Sequence, residues 1–180
     1  VEDNPDSKVN MAVNNIFNKW EETKDDSLTQ VVFLDRSTPS KGFNLYDDIK
    51  SKLIALGVPE EEIKFIHDAK NDKEKVKLFE DVNEGRVRIL IGSTEKMGAG
   101  TNIQKKLCAL HHIDVPWRPS DIEQREGRIL RQGNDCKEVE IFRYATEGTF
   151  DSYSWQTIEY KQKFISQVMT NKPLGRSIDD

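Results

Sequence analysis

The stretch "ALHHIDVPWRPSDIEQREGRILRQG", residues 109–133, opens on a short apolar run and closes on an amphipathic one. "ALHHIDV" reads as a buried strand, with His111 and His112 on alternate faces in structural roles. "SDIEQREGRILRQG" reads as a helix. Ser120 and Glu123 form the S-x-x-E of a capping box at its start, with Pro119 just ahead, and Gly133 marks its end. A strand feeding a helix through a short loop is half of a βαβ unit.

The same alternation extends upstream and downstream. Apolar positions Val9, Ala12, Val13, Ile16, Phe17 and Trp20 recur at helical spacing. "QVVFLD" (30–35) is a strand, and "FNLYDDIKSKLIAL" is a helix stopped by Gly57 and Pro59. "IKFIHD" is a second strand. "NDKEKVKLFEDVNEG" is a helix with Val76, Leu78, Phe79 and Val82 as its apolar set, capped by Asn71 or Asp72 and ended by Gly85. "VRILIGS", "ALHHIDV" and "KEVEIFRYA" are further strands, and "FDSYSWQTIEYKQKFISQVM" is a closing helix. Strands alternating with helices predict an α/β fold, with a mostly parallel central sheet flanked by helices on both faces. Ligands of such sheets gather in the loops after the strands. Three such loops carry chemistry here: "DRSTPS", "GSTEKMGAGTN" and "DVPWRPS".

With 180 residues the chain fits one domain with appendages, and its formal net charge of −5 argues against a broadly basic nucleic-acid coat. A local strip of cations remains compatible with that charge. No apolar run approaches the roughly 18–20 residues of a membrane span. The opening "VEDNPDSKVN" has no signal-peptide character, and with no initiator Met it reads as part of something longer. Cys108 and Cys136 stand in no C-x-x-C pair, so a zinc or disulfide framework is not expected and no metal ligand set is assigned. Free cysteines suit a reducing cytoplasm.

Three arginines fall on the helix of residues 120–133. Gln124, Arg128 and Arg131 are spaced by four and three and share a face. Arg125 is expected to point away from that row, so its loss should be much milder than that of Arg131. Ile122, Ile129 and Leu130 supply the buried side, and Gly127 permits close approach of another group. Planar guanidinium groups grip phosphate oxygens in pairs, so the row suits a polyphosphate, although a salt-bridged surface helix has the same spacing. In "STEKMGAGTNIQ", Gly98 and Gly100 free the backbone to wrap a ligand or simply to make a tight turn. No G-x-x-x-x-G-K-[ST] occurs, and no strand ends in an acidic pair suited to magnesium.

Taken in order, "VVFLD", "FIHDAKNDKEKVKLFEDVNEGRVRILIGSTEKMGAGTN" and "HHIDVPWRPSDIEQREGRILRQG" resemble the second RecA-like domain of superfamily 2 helicases and translocases. "VVFLDRS" is similar to motif IV, "STEKMGAGTN" to motif V, and "QREGRILRQG" to motif VI, whose pattern is Q-x-x-G-R-x-x-R. The context "DVPWRPSDIEQREGR" is most similar to the SWI/SNF-like branch, including bacterial, phage and plasmid helicases fused to adenine-specific DNA methylases. The resemblance covers residues 30–146. It implies a RecA-like three-layer sandwich, preceded by a helix and connector (1–29) and followed by a helical extension (147–180).

The resemblance also implies roles. Arg131 is the expected arginine finger toward the γ-phosphate of ATP, supported by Arg128 and Gln124. Gly98, Gly100 and Asn102 lie near the nucleotide. Arg36, Ser37, Ser93 and Thr94 are expected along the DNA backbone. ATP with Mg2+ would be bound mainly by an N-terminal RecA-like domain outside this sequence, so the chain alone is expected to be inactive. The expected partners are that domain, DNA, and a fused methylase domain. The alternatives are a non-catalytic nucleic-acid or protein-binding module that keeps the fold, and an ordinary nucleotide-binding α/β enzyme.

Overall fold

The computed structural model describes residues 8–36, 39, 41–97, 102–116, 118–127, 133–136 and 138–145. The elements run α1 (Lys8–Glu22), β1 (Thr29–Phe33), α2 (Leu45–Leu56), β2 (Ile63–Phe65), α3 (Asp72–Asn83), β3 (Ile89–Gly92), α4 (Thr94–Met97), β4 (Leu107–His112), α5 (Pro119–Glu126) and β5 (Glu140–Arg143). The expected closing helix lies outside the described residues.

The five strands form one sheet in the order β2-β3-β1-β4-β5. Every pairing is parallel, so all five carboxyl ends meet at one edge. Side chains alternate across each strand. Val32, Ile89, Ile91, Ile63 and Phe65 therefore face Ala12, Val13 and Ile16 of α1 and Tyr46, Ile49 and Leu53 of α2. Val31, Phe33, Leu90, Leu107 and Leu110 face Leu78 and Val82 of α3 and Met97 of α4. These two apolar layers make the three-layer sandwich, and α1 belongs to the same core as the sheet.

Local signals in the sequence explain most element ends. Asn71 caps α3, its side-chain oxygen accepting the Glu74 N–H at 2.9 Å. Asn44 caps α2 in the same way. Gly57 and Gly85 follow α2 and α3 with φ of +121° and +78°, a region costly for residues with a Cβ. Two expectations are corrected. Val76 of α3 is 64% exposed, because the face of that helix on the sheet is set by Leu78 and Val82. Helix α5 begins at Pro119, with Arg118 as the N-cap residue and no side-chain cap. Ser120 is therefore inside the first turn and does not head a capping box. Proline has no N–H to lose and a φ already set for a helix, so it takes the first helical position.

Candidate functional site

The carboxyl edge of the sheet collects the three loops that the sequence marks as chemical. Asp35 lies two residues beyond β1, Thr94 two beyond β3, and Asp114 two beyond β4. Helix α5 sits against them and places Arg125 in the middle, completely buried.

The Arg125 guanidinium has five N–H groups, and the structure gives each a partner. Nε donates to Thr94 Oγ1 at 2.8 Å. Nη1 donates to His112 Nδ1 at 3.1 Å and to the Asp114 carbonyl at 3.0 Å. Nη2 reaches Asp114 Oδ1 at 3.0 Å and Asp35 Oδ2 at 2.9 Å. The group also lies over the Phe33 ring, 5.1 Å from its centroid, a favourable place for a cation.

The acceptors are themselves tied down. Asp35 Oδ1 accepts from the Thr94 N–H at 2.7 Å and from the Thr94 hydroxyl at 2.9 Å. Asp114 Oδ2 accepts from the backbone N–H groups of Asp35 and Arg36 at 2.8 and 2.9 Å. One cation and two carboxylates thus fasten the ends of β1, β3 and β4 to α5.

A second buried layer adjoins the first. Because His112 Nδ1 accepts from Arg125, its proton sits on Nε2, which faces Glu126 Oε2 at 3.1 Å. Burial, with Arg125 and Arg143 nearby, holds His112 well below its ordinary range, so the ring is neutral. Burial pushes Glu126 up to about 7, against the pull of Arg143 at 3.3 Å. Glu126 links α5 to the last residue of β5. His111 points to the other face. It accepts from the Tyr144 hydroxyl at 2.8 Å and donates to Gln30 Oε1 at 2.7 Å, while burial lowers it to about 3. Both histidines are buried and held by partners within the domain, on opposite faces of the sheet.

The other expected site residues fall as follows. Gln124 is half-buried on α5. Arg36 is exposed, with its N–H held by Asp114. Ser93 is buried, and its hydroxyl accepts the Lys96 N–H at 3.1 Å at the start of α4. Thr94 is buried, with N–H and hydroxyl both engaged by Asp35. Asn102 is exposed, and its carbonyl accepts from Asn83 Nδ2 at 2.7 Å. Arg128, Arg131, Ser37, Gly98 and Gly100 lie outside the described residues.

Arg125 is fully buried, while Arg128 and Arg131 of the expected row lie outside the described residues. It turns inward, to the centre of the edge. Its position was legible as spacing: Ile122, Arg125, Glu126 and Ile129 fall at i, i+3, i+4 and i+7, the buried stripe of a helix. Gly127 caps the end of α5, where an added Cβ would stand 2.9 Å from the Glu123 carbonyl. A cleft of about 900 Å³ opens at the opposite edge, lined by Trp20, Lys24, Glu62, Arg86 and Arg88 among others. It lies at the amino ends of the strands, away from the loops where parallel sheets place their chemistry.

The chain matches the family described as the helicase conserved C-terminal domain over residues 16–133. It is 34% identical over 93 residues to the defense against restriction protein B of Escherichia phage P1, covering 52% of this chain and 4% of that protein. It is 33% identical over 92 residues to the uncharacterized ATP-dependent helicase YqhH of Bacillus subtilis (strain 168), covering 51% of this chain and 16% of that protein. The chain therefore spans a small part of the curated relatives it matches. Among solved structures, the C-terminal part of the Fun30 ATPase domain aligns with 97% of this chain and 55% of its own, at TM-score 0.66 and 17% identity. S. cerevisiae Dbp5 bound to RNA and ADP BeF3 aligns with 89% of this chain and 37% of its own, at TM-score 0.57 and 18% identity. The chain belongs to the helicase conserved C-terminal domain family, with the fold of the second RecA-like domain of superfamily 2 helicases.

Proposed function

We propose that this chain is the C-terminal half of an ATP-dependent DNA helicase or translocase of the SWI/SNF-like branch. Arg131 is its arginine finger toward the γ-phosphate, and Arg128 and Gln124 support that contact. Gly98, Gly100 and Asn102 border the nucleotide. Arg36 and Ser37 meet the DNA backbone. Ser93 and Thr94 serve the same track by fixing their loop, since both side chains are buried and engaged within the domain. ATP with Mg2+ is held mainly by an N-terminal RecA-like domain, and a fused DNA methylase domain is a further partner in this reading.

The observation that carries the proposal is the position of Q-x-x-G-R-x-x-R. Its first half is clamped at the carboxyl edge of an all-parallel sheet, and its two remaining arginines follow directly in the chain. Phosphoryl transfer needs placed charge more than covalent chemistry, so two arginines delivered to that edge suit a nucleotide held by a facing domain. The name of one relative, the uncharacterized ATP-dependent helicase YqhH, supports this reading.

The test compares phosphate release from ATP by residues 1–180 alone and by the same residues joined to a first RecA-like domain carrying a phosphate loop. The chain alone should show no turnover, and the joined protein should show DNA-stimulated turnover. Turnover by the chain alone, or a folded joined protein with none, contradicts the proposal.

A further inference from the structure

The residues that motif VI leaves unspecified are the most deeply placed of its described half. In Q-x-x-G-R-x-x-R the two positions after the glutamine are Arg125 and Glu126, and neither exposes any surface. A buried ion cluster adds little net stability compared with apolar side chains of the same volume, because desolvation offsets most of the attraction. What it supplies is geometry. A planar guanidinium with all five N–H groups engaged has one orientation. Its partners come from three strand ends, those of β1, β3 and β4. Glu126 and Arg143 tie the same helix to a fourth, that of β5. Helix α5 therefore cannot tilt or slide without breaking contacts at several strand ends together.

We propose that Arg125 is a positioning residue for phosphoryl transfer: by locking α5 to the strand ends, it sets the point at Gly127 from which the chain delivers Arg128 and Arg131. This rests on the reading of Arg131 as the finger. A reacting group displaced by about 1 Å can lose about a hundredfold in rate while substrate binding persists, so the effect belongs in kcat rather than KM.

The test uses the complete ATPase, with and without saturating DNA. Arg125→Met takes the cation from Asp114 and Asp35 and should destabilise. Arg125→Met with Asp114→Asn removes the cation and the more buried carboxylate, leaves Asp35 held by Thr94, and should recover most of the melting temperature. In that double variant kcat should stay about 10- to 100-fold down, with KM for ATP within about twofold. If kcat returns together with stability, Arg125 is only structural and the inference falls. Should the double variant not fold, Thr94→Val and Thr94→Ser decide. Valine keeps the shape but loses the oxygen that Arg125 Nε grips, and serine keeps that oxygen. Valine should lower kcat with and without DNA, and serine should restore it; equal rates for the two overturn the inference. Arg131→Ala run beside them separates the two claims. If Arg131→Ala keeps its activity, the finger reading fails. If it loses activity while the Arg125 and Thr94 variants keep theirs, only the positioning role fails.

Discussion

A charged residue placed in the apolar stripe of a helix has to be matched by counter-charges, and Arg125 draws them from residues far apart in sequence. Asp35 and Asp114 are 79 residues apart, yet both accept from the guanidinium, and the second oxygen of Asp114 also accepts the Asp35 N–H. Removing the cation leaves two carboxylates facing each other with little water. Arg125→Ala should therefore cost about 3–5 kcal/mol of unfolding free energy, the cost of an orphaned buried charge. Chemical denaturation of the 180-residue chain measures it, and a loss under about 1 kcal/mol, ordinary for a surface position, would remove Arg125 from the centre of the edge.

Three other buried groups set the acid behaviour. His111 is held near 3 and His112 well below 6.5, so the unfolded chain binds two protons that the folded chain refuses. Their stabilisation is complete above pH 6.5 and is lost as pH falls below it. Glu126, raised from 4.5 to about 7, has the opposite sign: the folded chain keeps a proton that the unfolded chain releases. Between pH 6.5 and 4.5 the histidines, His67 among them, lower stability as pH falls, and Glu126 opposes them. Glu126→Gln removes the opposing group, so the slope should steepen by about 1.4 kcal/mol per pH unit. Urea titrations across that range give both slopes, and an unchanged slope in the variant would mean that Glu126 is not protonated in the fold.

At the scale of elements, the strands and helices of the described residues follow signals that act over a few residues. Apolar runs bounded by polar loops marked all five strands, and Asn71 and Gly85 bracket α3 as their chemistry requires. The misreadings have local causes too. In α5 the serine and glutamate matched a capping pattern, but Pro119 claimed the first turn. The two helices therefore separate under the same substitution. Asn71→Ala should cost about 1 kcal/mol through loss of the Glu74 N–H bond, whereas Ser120→Ala should stay within about 0.5 kcal/mol. Equal losses in thermal unfolding would restore Ser120 as a cap. The buried network at the carboxyl edge was legible only in part. Spacing put Arg125 and Glu126 on the inward stripe, but which strand ends would meet them depends on the order β2-β3-β1-β4-β5, and no local pattern encodes that order.

On the scale of the whole molecule, the sheet gathers its chemistry on one edge and leaves the opposite edge to a cleft of mixed charge. In the proposed reading this edge is one wall of a nucleotide site, and a finger arginine is worth about 10³–10⁵ in rate when a second wall holds the phosphates. The direct measurement is DNA-stimulated phosphate release at saturating ATP by the complete polypeptide carrying Arg131→Ala, with folding checked by thermal unfolding. Turnover should fall by about 10³-fold or more while the melting temperature holds, and Arg131→Lys should recover little of it because an ammonium lacks the planar fork. A folded Arg131→Ala protein that keeps most of its turnover would contradict the assignment of this helix to the γ-phosphate.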